Sequence, residues 1–322
     1  MREPLLEIKD LKVYFKTIYG DARSTDGVSL KIYENEVFGI AGESGCGKST
    51  LVEGVLRLIK PPGYIKSGEV IYKGKNMFEM SEEEFNKIRW KEIAYIPQGS
   101  MNSLNPVLKV EEQMIDAVLS HTNLSQEEAK EIALEALDSV GLPEDVMKMY
   151  PHELSGGMRQ RVCIAMSTCL KPKIIFGDEP VTALDVMMQK LNLQTIMHLK
   201  EKIGLTVVMV AHDMAWHAEI CDRMAIMYGG KVVEIGSVEE IFSNPLHPYT
   251  KGLLNAVPSL ARKVAKSIPG IAPSPLNWPS GCRFHPRCPY KMDICEKEEP
   301  TLKMVDSERY VACHLYGSNG GN

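Results

Sequence analysis

The nine residues from Gly42 to Thr50 read GESGCGKST and follow the apolar run Val37-Phe38-Gly39-Ile40-Ala41, the pattern of a buried strand that ends in a glycine-rich turn. No other stretch narrows the possible folds so sharply. Gly42, Gly45 and Gly47 let the backbone turn without Cβ clashes, so that successive N–H groups can point at one anion. Lys48 adds a point charge for the β and γ phosphates, Ser49 offers a hydroxyl to Mg²⁺, and Ser44, Cys46 and Thr50 complete the loop. The amphipathic Leu51-Val52-Glu53-Gly54-Val55-Leu56 that follows reads as a helix. Strand, loop and helix in this order make a phosphate-binding loop in its expected context.

With 322 residues, 44% of them hydrophobic, the chain has room for one large domain and a smaller one. A net charge of −5 with no block of Lys or Arg argues against a nucleic-acid partner. The longest apolar run, Leu205 to Ala211 broken by Thr206, is far short of a membrane span, and the opening MREPLLEIKD has no signal-peptide pattern. A cytosolic chain is expected, so its eight cysteines read as thiols or metal ligands, not disulfides. Cys46, Cys163, Cys169 and Cys221 are scattered and read as small buried hydrophobes; Cys282, Cys288, Cys295 and Cys313 cluster near the C-terminus.

Residues 5 to 40 alternate apolar and polar in short pieces, as does GEVIYKGKNM after Pro61-Pro62-Gly63, which predicts strands of a mostly antiparallel layer. The patterns from Ser81 to Arg89 and from Glu111 to Val140 are helical and charged, with Ser125 placed as an N-cap. A helical insert over about 99–170 is therefore expected. Ile174-Ile175-Phe176 and Thr206 to Ala211 read as buried strands flanking a helix from Leu191 to Lys202, a βαβ unit that implies a parallel sheet. After Asn244 the sequence turns Pro-rich and Cys-containing, so a boundary is placed near 245, with domains 1–245 and 246–322.

Asp178 and Glu179 end the run KIIFGDE, and a strand that delivers two adjacent carboxylates to a phosphate loop has a clear use. Asp178 can hold Mg²⁺ through water, and Glu179 can polarise the attacking water. His212 ends the strand VVMVAH, from which it could reach the γ phosphate. Gln98, in AYIPQGS, suits contact with Mg²⁺ or with water.

The segment Leu154-Ser155-Gly156-Gly157-Met158-Arg159-Gln160-Arg161, preceding Asp178, resembles the signature of ATP-binding-cassette (ABC) ATPases. That resemblance implies an α/β fold: an ABC-type core with a mostly parallel sheet, an antiparallel β layer, a helical insert and a small Cys-rich C-terminal extension. It further implies that Ser155, Gly156 and Gly157 contact the γ phosphate bound by an opposing subunit, a use of helix N–H groups that these residue types support. By the same resemblance Gln98 is the Q-loop residue, Ala183-Leu184-Asp185 the D-loop and His212 the switch histidine. Tyr19 lies where many cassettes stack an aromatic on adenine, with Phe15 close by. Val181 stands where family members usually have a small polar residue, and no chemistry is lost by it.

Ser103-Leu104-Asn105-Pro106, the stretch NPLHPYTKGLL from Asn244 to Leu254, and the tail GCRFHPRCPYKMDIC resemble the ATPase subunits of dipeptide/oligopeptide ABC importers. This resemblance implies ATP hydrolysis coupled to uptake of peptides or other small solutes, oligosaccharides among them. The implied partners are a second, different ATPase subunit, two transmembrane permease subunits and, indirectly, an extracytoplasmic solute-binding protein; the implied location is the cytoplasmic face of the membrane. The alternative is a non-transport cassette acting as an ATP-gated clamp in nucleic-acid repair or translation. Such proteins usually carry coiled coils, tandem cassettes or basic arms, none of which is seen in this sequence.

Cys282, Cys288, Cys295 and Cys313 are spaced x5, x6 and x17 in a segment with too few periodic apolar positions for a core of its own, the kind of unit that needs a staple. Structural zinc commonly uses C-x2–4-C pairs, and no such pair occurs. The resembled importers include members with a [4Fe–4S] cluster on this cysteine pattern, which makes that cluster the expected group. Zinc is the alternative, with His285 and His314 as substitute ligands.

Overall fold

In the computed structural model, which describes residues 2–180, 185–256 and 268–316, the alternation of the first segment becomes a long hairpin. Leu6–Thr17 pairs antiparallel with Gly20–Ile32 on one side and with Gly63–Tyr72 on the other, and Lys75–Asn76 closes a four-stranded sheet. Ile8 and Leu11 are three residues apart, so strict alternation would put them on opposite faces. A register shift beside Asp10, whose φ is +45°, returns both to the buried face.

The chain divides into two compact units. The first comprises residues 1–33, 37–78 and 210–322, and besides the hairpin sheet it holds the phosphate loop. Val37–Ala41, five buried residues, runs parallel to Arg223–Tyr228, which pairs antiparallel with Lys231–Ser237. Two tail strands extend the edge in sequence order reversed: Arg309–Val311 lies against Lys231–Ser237, and Lys303–Asp306 against Arg309–Val311. The Cys-bearing tail thus shares the core of this unit. Phe284 of the tail is buried with Tyr228, Tyr249, Met224, Ile226 and Ile241, and Cys282 and Cys288 pack against the same cluster. The texture boundary at residue 245 lies inside this unit.

The second unit comprises residues 34–36 and 79–209. Ile93–Ile96 runs parallel to Ile174–Asp178, with Thr206–Val210 as the next neighbour. The helices Glu82–Ile88 and Gln126–Ser139 each begin with a reciprocal cap: Ser81 with Glu84 and Ser125 with Glu128. Val110–Leu119, Gly156–Thr168 and Val186–Ile203 complete the helical part. The last begins five residues before the predicted Leu191, because the Asp185 carboxylate accepts from the Met188 N–H at 3.0 Å and caps it there. Among the described residues no helix is long and apolar enough to cross a membrane.

Candidate functional site

The loop after Val37–Ala41 has the backbone its glycines predict: φ is +151° at Gly42, +77° at Gly45 and +100° at Gly47. At Gly42 a Cβ would stand 2.2 Å from the Met227 carbonyl oxygen, and at Gly47 2.2 Å from that of Ser24, so the close approach of neighbouring backbone demands glycine at both. The helix Lys48–Val55 starts directly from Gly47 with no side-chain cap, which leaves its first N–H groups to an outside acceptor. Lys48 is buried, its ammonium donating to the Gly42 carbonyl at 2.8 Å and the Glu43 carbonyl at 3.2 Å. Thr50 accepts from the Ser24 hydroxyl at 2.9 Å, Ser49 is half-buried, and Ser44 is exposed. Cys46 is buried, and burial raises its thiol pKa against the pull of Lys48, so it is an inert part of the wall.

Two anchors of this loop were not foreseen from sequence. The Glu43 N–H donates to the Tyr249 hydroxyl at 2.7 Å, and the Glu43 carboxylate receives both terminal nitrogens of Arg287, at 2.8 and 3.0 Å. Tyr249 comes from the NPLHPYT stretch and Arg287 from between Cys282 and Cys288. The signal in the sequence was no more than a basic residue between two cysteines of the tail.

In the same unit Tyr19 sits at the hairpin tip, 81% exposed, its N–H held by the Thr17 hydroxyl at 3.1 Å. Phe15 is half-buried and packs so close to Gly63 that a Cβ there would meet its ring at 2.7 Å. Of the two aromatics, Tyr19 is the one with a ring open to a ligand. His212 is exposed just beyond Thr206–Val210 and precedes Asp213, which caps the helix Met214–Ile220.

In the second unit Gln98 and Glu179 come together: the Gln98 amide donates to the Glu179 carboxylate at 2.9 Å. Asp178 ends the buried strand, and Glu179, also buried, takes the left-handed φ of +49°. Gln160, within the signature segment, is fully buried and ties two neighbours to it. Its amide oxygen accepts from Ser100 at 3.0 Å, and its nitrogen donates to the Pro180 carbonyl. This buried glutamine links the stretch after Gln98 to the exit from Glu179. Ser155 is the N-cap of Gly156–Thr168 and accepts from the Met158 N–H at 3.3 Å. Gly157 is buried beneath Met188, whose methyl occupies the space of a Cβ. Asp185 is described, whereas Ala183, Leu184 and Val181 lie outside the described residues.

Cys282, Cys288, Cys295 and Cys313 line one small cavity together with His285 and His314. Burial raises the Cys282 thiol pKa to about 11, and Cys295, Cys313 and Cys288 add to the shift; Cys288 and Cys313 are raised for the same reasons. Among the described residues no group of three or more His, Cys, Asp or Glu that could hold a metal ion is found, so the expected ready ligand set is not met, for the cluster or for zinc.

The sequence model of the ABC transporter family matches residues 25–182, and that of the oligopeptide/dipeptide transporter C-terminal region matches residues 233–295. Among similar proteins, the dipeptide transport ATP-binding protein DppD of Caldanaerobacter subterraneus is 48% identical over 97% of this chain and 97% of its own length. The oligopeptide transport ATP-binding proteins OppD of Bacillus subtilis and Escherichia coli are 42% and 41% identical, each over 97% of this chain and over 88% and 93% of their own lengths. Among solved structures, the ATP-binding cassette MJ0796, a dimer bound to ADP and Pi, is 30% identical with a TM-score of 0.64, covering 72% of this chain and 98% of that one. A full-length match to such relatives, on a loop built for phosphate, places the chain in the family of ABC-transporter ATPases, in the branch that carries the oligopeptide/dipeptide transporter C-terminal region.

Proposed function

We propose that the chain powers import of peptides or similar small solutes as one ATPase of a pair, seated on two permease subunits at the cytoplasmic face of a membrane and supplied by a solute-binding protein outside. The observation that carries the nucleotide chemistry is the left-handed glycine loop that opens directly into the uncapped helix Lys48–Val55. Lys48 and the loop N–H groups hold the β and γ phosphates, and the exposed Tyr19 ring stacks on the base. Ser49, Gln98 and Asp178 offer hydroxyl, amide and carboxylate oxygens, a hard donor set that suits Mg²⁺. Bound there, the ion supplies charge to offset the developing negative charge on the phosphate oxygens. Glu179 orients and polarises the attacking water, Gln98 holds the Glu179 carboxylate in place, and His212 steadies the γ phosphate.

Ser155, Gly156 and Gly157 present a helix N-terminus that serves the nucleotide of the opposing subunit, with Asp185 at the same interface. Support comes from Val186 and Met187, 70% and 76% exposed directly after Asp185, and from the dimeric state of the similar cassette MJ0796. A different ATPase subunit is the proposed partner. Val107, 75% exposed beyond Ser103–Pro106, suits a permease contact.

The four tail cysteines are proposed to carry a [4Fe–4S] cluster as a staple, supported by their lining a single cavity. Zinc is the alternative, and the described residues form no ready metal-holding group that would favour either.

The test is purification through a tag on this chain from membranes. Two permeases and a second ATPase should accompany it, and its Mg²⁺-dependent ATP hydrolysis should rise when peptide-loaded binding protein is added. Recovery with nucleic acid and without permeases would overturn the transport reading.

A further inference from the structure

Glu43 is an awkward residue for a loop that must bind polyphosphate, because its carboxylate carries the same sign as the ligand. Its backbone is committed to the loop: the carbonyl accepts from Lys48 and the N–H donates to Tyr249. The carboxylate can therefore not swing far from the anion site, and unpaired it would repel the phosphates at short range. Arg287 meets it in a two-pronged bond at 2.8 and 3.0 Å, the geometry in which guanidinium and carboxylate neutralise each other best.

Arg287 itself is fixed. Its side chain is 7% exposed, its Nε donates to the Pro269 carbonyl at 2.9 Å, and its terminal nitrogens also reach the Ile268 carbonyl at 3.4 Å and the Tyr228 hydroxyl at 3.3 Å. The paired Glu43 carboxylate raises the Arg287 pKa further, so the charge is permanent. One turn earlier, Phe284 packs edge-on against Tyr228 at 5.1 Å and against Tyr249 at 5.5 Å, and Tyr249 is the acceptor of the Glu43 N–H. The tail thus grips one loop residue at two points, by charge and by packing.

We infer that Arg287 is a positioning residue for nucleotide binding: it neutralises and clamps Glu43, so that the phosphate loop presents a net positive face to ATP. The inference rests on the loop being the ATP site, and not on any group bound by the cysteines. It makes the C-terminal region a working part of the phosphate site in the same chain.

The experiment measures equilibrium binding of Mg·ATP to the full chain with wild-type protein, Arg287→Ala, Arg287→Lys, Glu43→Gln and the double variant Arg287→Ala with Glu43→Gln. Arg287→Ala should weaken binding about tenfold or more, because it leaves a bare carboxylate beside the phosphates. Arg287→Lys, which keeps the charge, should lose less than about threefold. Glu43→Gln should weaken binding less than Arg287→Ala does, and added to Arg287→Ala it should recover most of the lost affinity, which a purely structural role of Arg287 would not allow. Unchanged affinity in Arg287→Ala, or a double variant as weak as Arg287→Ala, would overturn the inference. If Arg287→Ala does not fold, Arg287→Gln in the presence and absence of Glu43→Gln carries the same comparison. Lys48→Ala, measured alongside, should weaken binding; if it leaves affinity unchanged, the fault lies with the assignment of the site and not with Arg287.

Discussion

The Gln98 amide and the Glu179 carboxylate, 81 positions apart in sequence, are joined by a hydrogen bond of 2.9 Å. Glu179 holds its side chain there from a left-handed backbone, a conformation that costs a non-glycine residue roughly 1–3 kcal/mol and persists only where the surroundings fix it. Gln160 supplies part of that fixation through its bond to the carbonyl of the next residue, Pro180.

Glu179→Gln preserves the shape of this pair but cannot polarise water. Hydrolysis by the assembled transporter should fall by about 10²–10⁴, the usual worth of a general base, while nucleotide binding is kept. Single-turnover hydrolysis and equilibrium ATP binding on the same preparation check both halves. Turnover within a few-fold of wild type would remove Glu179 from the role.

For Gly157→Asp, the new side chain must displace Met188 and puts a carboxylate at the helix start that serves the opposing subunit. Hydrolysis by the assembled complex should fall at least tenfold, about 1.4 kcal/mol in the barrier. ATP affinity of the isolated chain should stay within about twofold. Equal loss of binding in the isolated chain would contradict action across the interface.

The glycines of the phosphate loop are not equivalent. Gly45→Ala meets nothing within 4 Å and bears only the strain of its φ of +77°, about 1–2 kcal/mol. Gly42→Ala drives a Cβ into the Met227 carbonyl and the Cys46 sulfur, which adds on the order of 1–3 kcal/mol of overpacking. Thermal unfolding should rank Gly42→Ala below Gly45→Ala; the reverse order would mean that the strand-to-loop contact is softer than described.

His247 is fully buried, and burial depresses its pKa to about 3, against a hydrogen bond with the Ala312 backbone that works to raise it. Unfolded histidine titrates near ~6.5. Between these values the unfolded chain binds a proton that the folded one refuses, so the contribution of His247 is complete above pH ~6.5 and is lost as pH falls toward 3. The slope from this residue reaches at most about 1.4 kcal/mol per pH unit. Denaturant unfolding at pH 7.5 and pH 5 should show the loss, and His247→Gln should shrink the difference. An unchanged difference would place the pH sensitivity elsewhere.

Cysteine ligation is tested by colour and metal content. Protein purified without oxygen should be brown and contain about four irons per chain, and Cys288→Ser should lose the iron together with part of the tail's resistance to proteolysis. Colourless wild-type protein with one equivalent of zinc would replace the cluster by zinc.

The sequence by itself determined the parts of this protein whose physics is local. A strand, three glycines and a lysine within a dozen residues define the phosphate loop, because each glycine is required by backbone geometry at its own position. The same holds for the capped helices at Ser81 and Ser125, where cap and partner lie three residues apart. Recognition of the tail as that of a peptide-importer ATPase was legible for another reason: its cysteine and proline spacing is dense and specific. What the tail does with its apolar residues was not legible, since Phe284 finds its partners in Tyr228 and Tyr249, which no periodicity links. The tertiary structure alone decided that Tyr19 is open while Phe15 is packed, that Asp185 begins a helix, and that Arg287 closes on Glu43 across 244 positions. Charge pairs and ring contacts of that separation depend on where the chain returns, and they carry no periodic trace in the residues that form them.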